Sequence, residues 1–225
     1  MSYSISVTNL NTIQQHIQQY SPNPHKVNII AVTKGFSYHA ILSAIHNKIY
    51  CIGENRVQEF LNKKKEVVDI SCESHLIGHL QSNKIKKAIN LFDVIQTVDT
   101  ISLAEKINKQ MEPLKIKKNI FIQINVGNDP KKFGFSVKNI FKEVENINKM
   151  QYLQIDGVMT ILPFLDKPSS SEKLFEKTRK VAEKINTNIT PTCSKLSMGM
   201  SRDYVYALKQ GATHIRIGTF LYGDR

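Results

Sequence analysis

Lys34 closes a run of apolar, β-prone residues, Val27–Lys34, and Gly35 follows it. In an extended strand side chains alternate faces, so Ile30, Val32 and Lys34 share one face. A lysine at the end of a buried strand either escapes to solvent or holds its amine at a site. Desolvation lowers an amine's pKa, and a neutral amine forms a Schiff base with an aldehyde. Two further segments suit an anion. Leu196-Ser197-Met198-Gly199-Met200-Ser201 leaves a strand through a glycine turn and enters a helix with Ser201 at its N-cap and Gly211 as its stop. Free N–H groups at such a turn suit phosphate, although an ordinary capped helix looks the same. Arg216-Ile217-Gly218-Thr219 makes a second turn of this kind. Arg216 should face inward with His214 and Gly218. There a buried guanidinium needs an internal ion pair or an acceptor on a ligand, such as a pyridine nitrogen.

Asn55 ends the segment Gly53-Glu54-Asn55 and is either a helix N-cap or a cap that also touches ligand. His75 and His79 have H-x-x-x-H spacing. On an extended strand that spacing separates them by about 13 Å, so they cannot chelate one ion. His79 reads instead as a polar residue at the mouth of the fold. No carboxylate pair is spaced for glycoside hydrolysis, and neither G-x-S-x-G nor a phosphate-binding G-x-x-x-x-G-K-[ST] occurs. No C-x-x-C pair suggests zinc, and no metal site is expected.

The elements that must position these residues alternate along the chain. Strands are expected at Val27–Lys34, Tyr50–Glu54, Ser74–Gly78, Val94–Val98, Asn119–Asn125, Leu153–Met159, Thr192–Met198 and His214–Gly218. Amphipathic stretches lie between them, the clearest carrying Leu174, Thr178, Val181 and Ile185. An extra helix over about Thr8–Tyr20 precedes the first strand. Eight strand–helix units point to a parallel sheet with crossover helices, and the count favours a closed (β/α)₈ barrel over a doubly wound sheet. Strand parity agrees with a barrel. Ile120, Ile122 and Ile124 share an aliphatic face, and His214, Arg216 and Gly218 share a polar one. Lys34, Asn55, His79, Asn125, Met159 and Arg216 fall at or just before the C-terminal strand ends, where barrels build their sites.

The apolar fraction of 41% and charged fraction of 22% are those of a globular chain, read as one domain over residues 1–225. No apolar run approaches the ~20 residues of a membrane span. Met1–Ile5 lacks the features of a signal peptide, and the three scattered cysteines suit a reducing cytoplasm. The net charge of +12 comes with short lysine clusters such as Lys63-Lys64-Lys65, Lys84-Lys86-Lys87 and Lys115-Lys117-Lys118, read as solvated helix faces and loops, with a weak polyanion-binding face as the alternative. A nucleic-acid module would need an aromatic or arginine-rich platform, and the chain has none.

These segments together resemble the pyridoxal phosphate homeostasis proteins, relatives of the N-terminal barrel of alanine racemase. The resemblance runs through Ala31–Lys34, Gly53–Glu59, His75–Lys84, Thr97–Asp99, Gly157–Thr160, Leu196–Ser201 and Arg216–Thr219, in order and spacing over nearly the whole chain. It implies a fold-type III barrel that carries pyridoxal 5′-phosphate (PLP) as a Schiff base on Lys34. It also implies that Ser201, Gly218 and Thr219 hold the phosphate and that Arg216 faces the pyridine nitrogen. Asn55 and His79 match positions around the cofactor. Many relatives have a second lysine where this chain has Phe36, and a small or acidic residue where it has Arg202.

The function so implied is a PLP carrier in vitamin B6 and amino-acid homeostasis, with PLP-dependent apo-enzymes as possible recipients and no catalytic residue. The alternative is an amino-acid racemase. Racemisation needs a base on each face of the substrate and a strong electron sink. The racemase's second base comes from a C-terminal domain, whereas this sequence ends six residues after Thr219. Arg216 at the ring nitrogen would also weaken the sink.

Overall fold

The computed structural model describes residues 4–67 and 70–224. Met1–Tyr3, Val68, Asp69 and Arg225, which the expected domain includes, lie outside the described residues. Eight parallel strands close into a barrel in sequence order. They are β1 (Asn28–Val32), β2 (Cys51–Glu54), β3 (Glu73–Leu76), β4 (Val94–Val98), β5 (Lys118–Ile124), β6 (Leu153–Thr160), β7 (Lys195–Met200) and β8 (His214–Ile217). The barrel closes where Asn28 of β1 pairs with His214 of β8. The helices are α1 (Val7–Tyr20), α2 (His39–His46), α3 (Val57–Glu66), α4 (Ile85–Leu91), α5 (Ile101–Met111), α6 (Ile140–Asn148), α7 (Ser171–Asn188), α8 (Tyr204–Lys209) and α9 (Thr219–Tyr222). No helix among the described residues is long and apolar enough to cross a membrane.

The parity argument holds. Ile120, Ile122 and Ile124 join the main core between strands and helices, while Phe121 points into the barrel with Val94 and Met159. The expected strand Thr192–Met198 starts late, at Lys195. Residues 190–194 are used up in a turn, in which Cys193 N–H donates to Thr190 O and Ser194 N–H to Asp156 O. The first strand likewise stops at Val32, because Phe36 N–H donates to Thr33 O and turns the chain.

Two of the clustered lysines are not solvated. Lys63 and Lys118 are buried. Lys118 Nζ donates to Phe92 O at 2.7 Å, and burial lowers its pKa. Lys63 belongs to the site described next.

The N-terminal helix is tied to the far end of the chain. Ser6 Oγ caps it by accepting from Asn9 N–H, and Leu10, Ile13 and Ile17 form its buried face. Ser6 N–H donates to Leu221 O at 2.8 Å and Asn9 Nδ2 to Phe220 O at 2.8 Å. Helix α1 therefore fixes α9, and with it the turn that follows β8.

Candidate functional site

Six of the seven residues expected at the site, Lys34, Asn55, Ser201, Arg216, Gly218 and Thr219, line one cavity of about 810 Å³ at the C-terminal ends of the strands. Lys34 is half-buried there, just beyond β1. Gly35 follows with φ 76°, a conformation that favours glycine and turns the chain away.

A buried ionic cluster holds this turn. Thr33 Oγ1 donates to Glu54 Oε1 at 2.6 Å, and Lys63 Nζ reaches Glu54 Oε1 at 2.6 Å, Glu59 Oε1 at 2.8 Å and Thr33 O at 2.7 Å. Gly35 N–H donates to Glu59 Oε1 at 2.5 Å. Burial raises the pKa of Glu54 despite Lys63 and Thr33. Burial also opposes ionisation of Glu59, but the bonds from Lys63 and Gly35 outweigh it and its pKa falls. The backbone on both sides of Lys34 is thus fixed by side chains of β2 and α3. Sequence reasoning missed this support. The available signal was Glu59 and Lys63 at i,i+4 on α3, following a glutamate at the end of β2.

Arg216 forms the floor. It is buried, and it donates from Nη1 to Ser197 Oγ at 2.9 Å and from Nη2 to Thr160 O at 2.8 Å. Burial lowers its pKa to about 10, partly offset by Asp203, so the group is cationic at neutral pH. Its bonded partners are neutral oxygens, not the carboxylate that an internal ion pair would require.

The two turns meet. Gly199 has φ 90°, and a Cβ there would lie 2.6 Å from Ala207 Cβ, so the exit from β7 packs directly on α8. Ser201 is not the N-cap of α8. The helix starts two residues later than expected, with Asp203 at that position, because Asp203 Oδ1 accepts from Met200 N–H at 2.7 Å and keeps residues 200–203 in a turn. Gly211, φ 79°, follows the C-cap as expected. Ser201 Oγ instead accepts from Phe220 N–H at 3.4 Å, which joins the turn after β7 to the turn after β8.

Asn55 is not a cap either, since Arg56 takes the N-cap position of α3 and leaves Asn55 on the cavity wall. A Cβ on Gly78 would overlap Asn55 O, so the exits of β2 and β3 touch here. His79 stands apart from the cavity lining. Its Nδ1 lies 3.1 Å from Asp99 Oδ2, and its ring stacks on Phe133 at 4.0 Å between centroids. The Arg202 guanidinium lies 4.5 Å over the Phe164 ring at the cavity edge. Phe36 is buried against Tyr222, 5.2 Å between centroids, so position 36 is part of the core here. Asp203, Lys132, Phe164 and Met200 also border the cavity and were not anticipated.

The family model described as alanine racemase, N-terminal domain, matches residues 7–225. The pyridoxal phosphate homeostasis protein of Haemophilus influenzae is 35% identical, with 96% of this chain and 94% of that protein covered. The structure of PipY from Synechococcus elongatus with PLP bound superposes with a TM-score of 0.85 at 33% identity, covering 96% of this chain and 99% of that one. An alanine racemase of Clostridium difficile, 18% identical and covered over 58% of its length, shares the fold with a TM-score of 0.78.

Proposed function

This chain belongs to the family of the alanine racemase N-terminal domain and, within it, to the pyridoxal phosphate homeostasis proteins, and from that membership we propose that it binds PLP in the cavity at Lys34 and carries it without significant catalysis. The observation that carries the reading is the donor set. One cavity brings together a lysine amine, a buried cationic guanidinium and the hydroxyls of Ser201 and Thr219 beside Gly218. PLP presents an aldehyde, an aromatic ring nitrogen that accepts, and a dianionic phosphate, so each end of the ligand meets a group of matching chemistry.

Bound there, PLP supplies an aldehyde for covalent capture by an amine, with loss of water. Lys34 provides that amine, and the Glu54–Lys63–Glu59 cluster keeps its backbone in place. Ser201, Gly218 and Thr219 receive the phosphate. Arg216 would face the ring nitrogen, and because it is already a cation it would oppose protonation there. That is the wrong electrostatics for a strong electron sink and favours carriage over racemisation. Asn55 packs along the wall, while His79 acts from outside the lining by bracing the rim through Asp99 and Phe133.

The family match over residues 7–225 supports one domain. The free thiols of Cys51, Cys72 and Cys193 support a reducing cytoplasm. PLP-dependent apo-enzymes are the recipients this chemistry suits.

The test is an absorption titration with PLP, paired with loss of α-deuterium from several L-amino acids. The carrier reading expects saturable binding of one PLP per chain and no multiple turnover. Turnover at about 1 s⁻¹ or more, in the range of ordinary enzymes, would replace it with the racemase reading.

A further inference from the structure

At the other end of the barrel, Cys51 opens β2 and Glu73 opens β3, and the two are register partners. His75 lies two residues along β3 on the same inward face. Cys51 Sγ, a carboxylate oxygen of Glu73 and a ring nitrogen of His75 all lie within 4.8 Å of one another. His75 Nε2 is 3.0 Å from Glu73 Oε2, and Cys51 Sγ is 3.8 Å from the same oxygen. Zinc held tetrahedrally by sulfur, nitrogen and oxygen needs ligand atoms about 3.3–3.6 Å apart, given its usual bond lengths. The three side chains are therefore close to that arrangement already.

The cluster also has the outer support that metal-binding histidines use. Gln96 Nε2 donates to His75 Nδ1 at 2.9 Å, Ser197 Oγ donates to Gln96 Oε1 at 2.6 Å, and Arg216 donates to Ser197 Oγ. The direction of this chain is set by its ends, because a guanidinium only donates and the Glu73 carboxylate only accepts. His75 accordingly carries its hydrogen on Nε2. Around the cluster, His214 is buried with its ring 5.9 Å from that of His75, and the Lys195 charge is paired with Asp156 at 2.8 Å. Cys51 and Glu73 are half-exposed, which leaves a path from solvent.

We propose that Cys51, Glu73 and His75 form a binding site for a thiophilic divalent cation of the zinc class, with water completing the coordination. Binding exchanges protons as well as ligands. The Cys51 thiol loses its proton to solvent and becomes a thiolate ligand. His75 coordinates through Nε2 and moves its hydrogen to Nδ1. Gln96 then turns its amide to accept from Nδ1–H, and its Nε2 donates to Ser197 Oγ. The metal's two positive charges are balanced by the thiolate and the Glu73 carboxylate.

The test is titration of the tag-free full chain, stripped of PLP, with cobalt(II) chloride. Its outcome is independent of whether PLP binds at the other mouth. One cobalt per chain should bind with a thiolate-to-cobalt charge-transfer band, and zinc should displace it. Cys51→Ser should abolish the band, Cys72→Ser should keep it, and His75→Gln should weaken cobalt binding at least ten-fold. Absence of the band in the wild type would overturn the proposal. So would its survival in Cys51→Ser or its loss in Cys72→Ser, each checked to be folded by circular dichroism.

Discussion

At the C-terminal mouth of the barrel, Lys34, Arg216, Ser201 and Thr219 converge on a cavity, whereas at the N-terminal mouth the polar groups face one another. There Glu73 meets His75 and Cys51, Lys195 meets Asp156, and Ser74 meets Asp93. Polar side chains gather at both mouths. The difference is where the partners are. Groups at the N-terminal mouth pair with one another, while groups at the C-terminal mouth line the cavity proposed for PLP. Substitutions should divide the same way for PLP, with PLP affinity lost at one mouth and folding stability without PLP affinity lost at the other.

The largest effect tests the ligand side of that division. Lys34→Ala should lose all of the borohydride-fixed PLP adduct, because Lys63, the other amine described at the turn, is tied up in its ion pairs with Glu54 and Glu59. The cost of Lys34→Ala in unfolding free energy should stay below that of Lys63→Met, which breaks the buried pairs with Glu54 and Glu59. Intact-mass and peptide mass spectrometry read the first quantity and urea unfolding the second. A full-strength label elsewhere would remove Lys34 from its role.

The next effect breaks the simple division. Lys63 is at the C-terminal mouth, yet its role is structural. Lys63→Met would leave Glu54 buried without its cation, a change that costs about 3–5 kcal/mol. It would also loosen the turn that carries Lys34, since Thr33 O loses the Lys63 donor and Glu59 keeps only the Gly35 N–H. Urea unfolding should show the stability loss, with weaker PLP binding alongside. Unchanged stability would mean that the cluster does not hold the turn.

The fold was legible because two periodicities recur eight times. Period-two alternation in segments such as Asn119–Asn125 separates a helix-facing side from a barrel interior, and the count of units implies closure. The cavity residues were legible because each ends a strand or follows a glycine turn. What escaped were relations between elements. Lys63 looks like one of three surface lysines until β2 and α3 bring Glu54 and Glu59 to it. Ser201 and Asn55 looked like caps because both precede helices, but cap position depends on where a turn releases the chain, and Met200–Asp203 holds it longer than the sequence suggests. The cluster of Cys51, Glu73 and His75 was hidden for the same reason, since register pairs β2 with β3 only in the folded sheet.

Ser201→Ala and Thr219→Val sharpen the ligand side further. On the proposed reading each removes one hydroxyl donor to the PLP phosphate, a hydrogen bond to a charged group that contributes roughly 1.5–3 kcal/mol, or about ten- to a hundred-fold in PLP affinity. Thermal stability should hardly change in Thr219→Val, whose side chain is exposed. Affinity within two-fold of the wild type in both variants would take the phosphate away from these turns.

The smallest effect belongs to the N-terminal mouth. Ser74 N–H and Ser74 Oγ both donate to Asp93 Oδ2, each at 2.7 Å, and Asp93 N–H donates back to Ser74 Oγ at 3.2 Å. This pair ties the start of β3 to the chain entering β4. Ser74→Ala removes the hydroxyl but keeps the backbone N–H on the same carboxylate oxygen. The loss should therefore be near that of a typical single hydrogen bond, about 1 kcal/mol in urea unfolding. PLP affinity should stay within two-fold, because Ser74 has no part in the cavity and points away from the barrel axis, opposite His75. A loss of PLP affinity as large as that in Ser201→Ala would break the comparison, since the two mouths would then be coupled through the sheet itself.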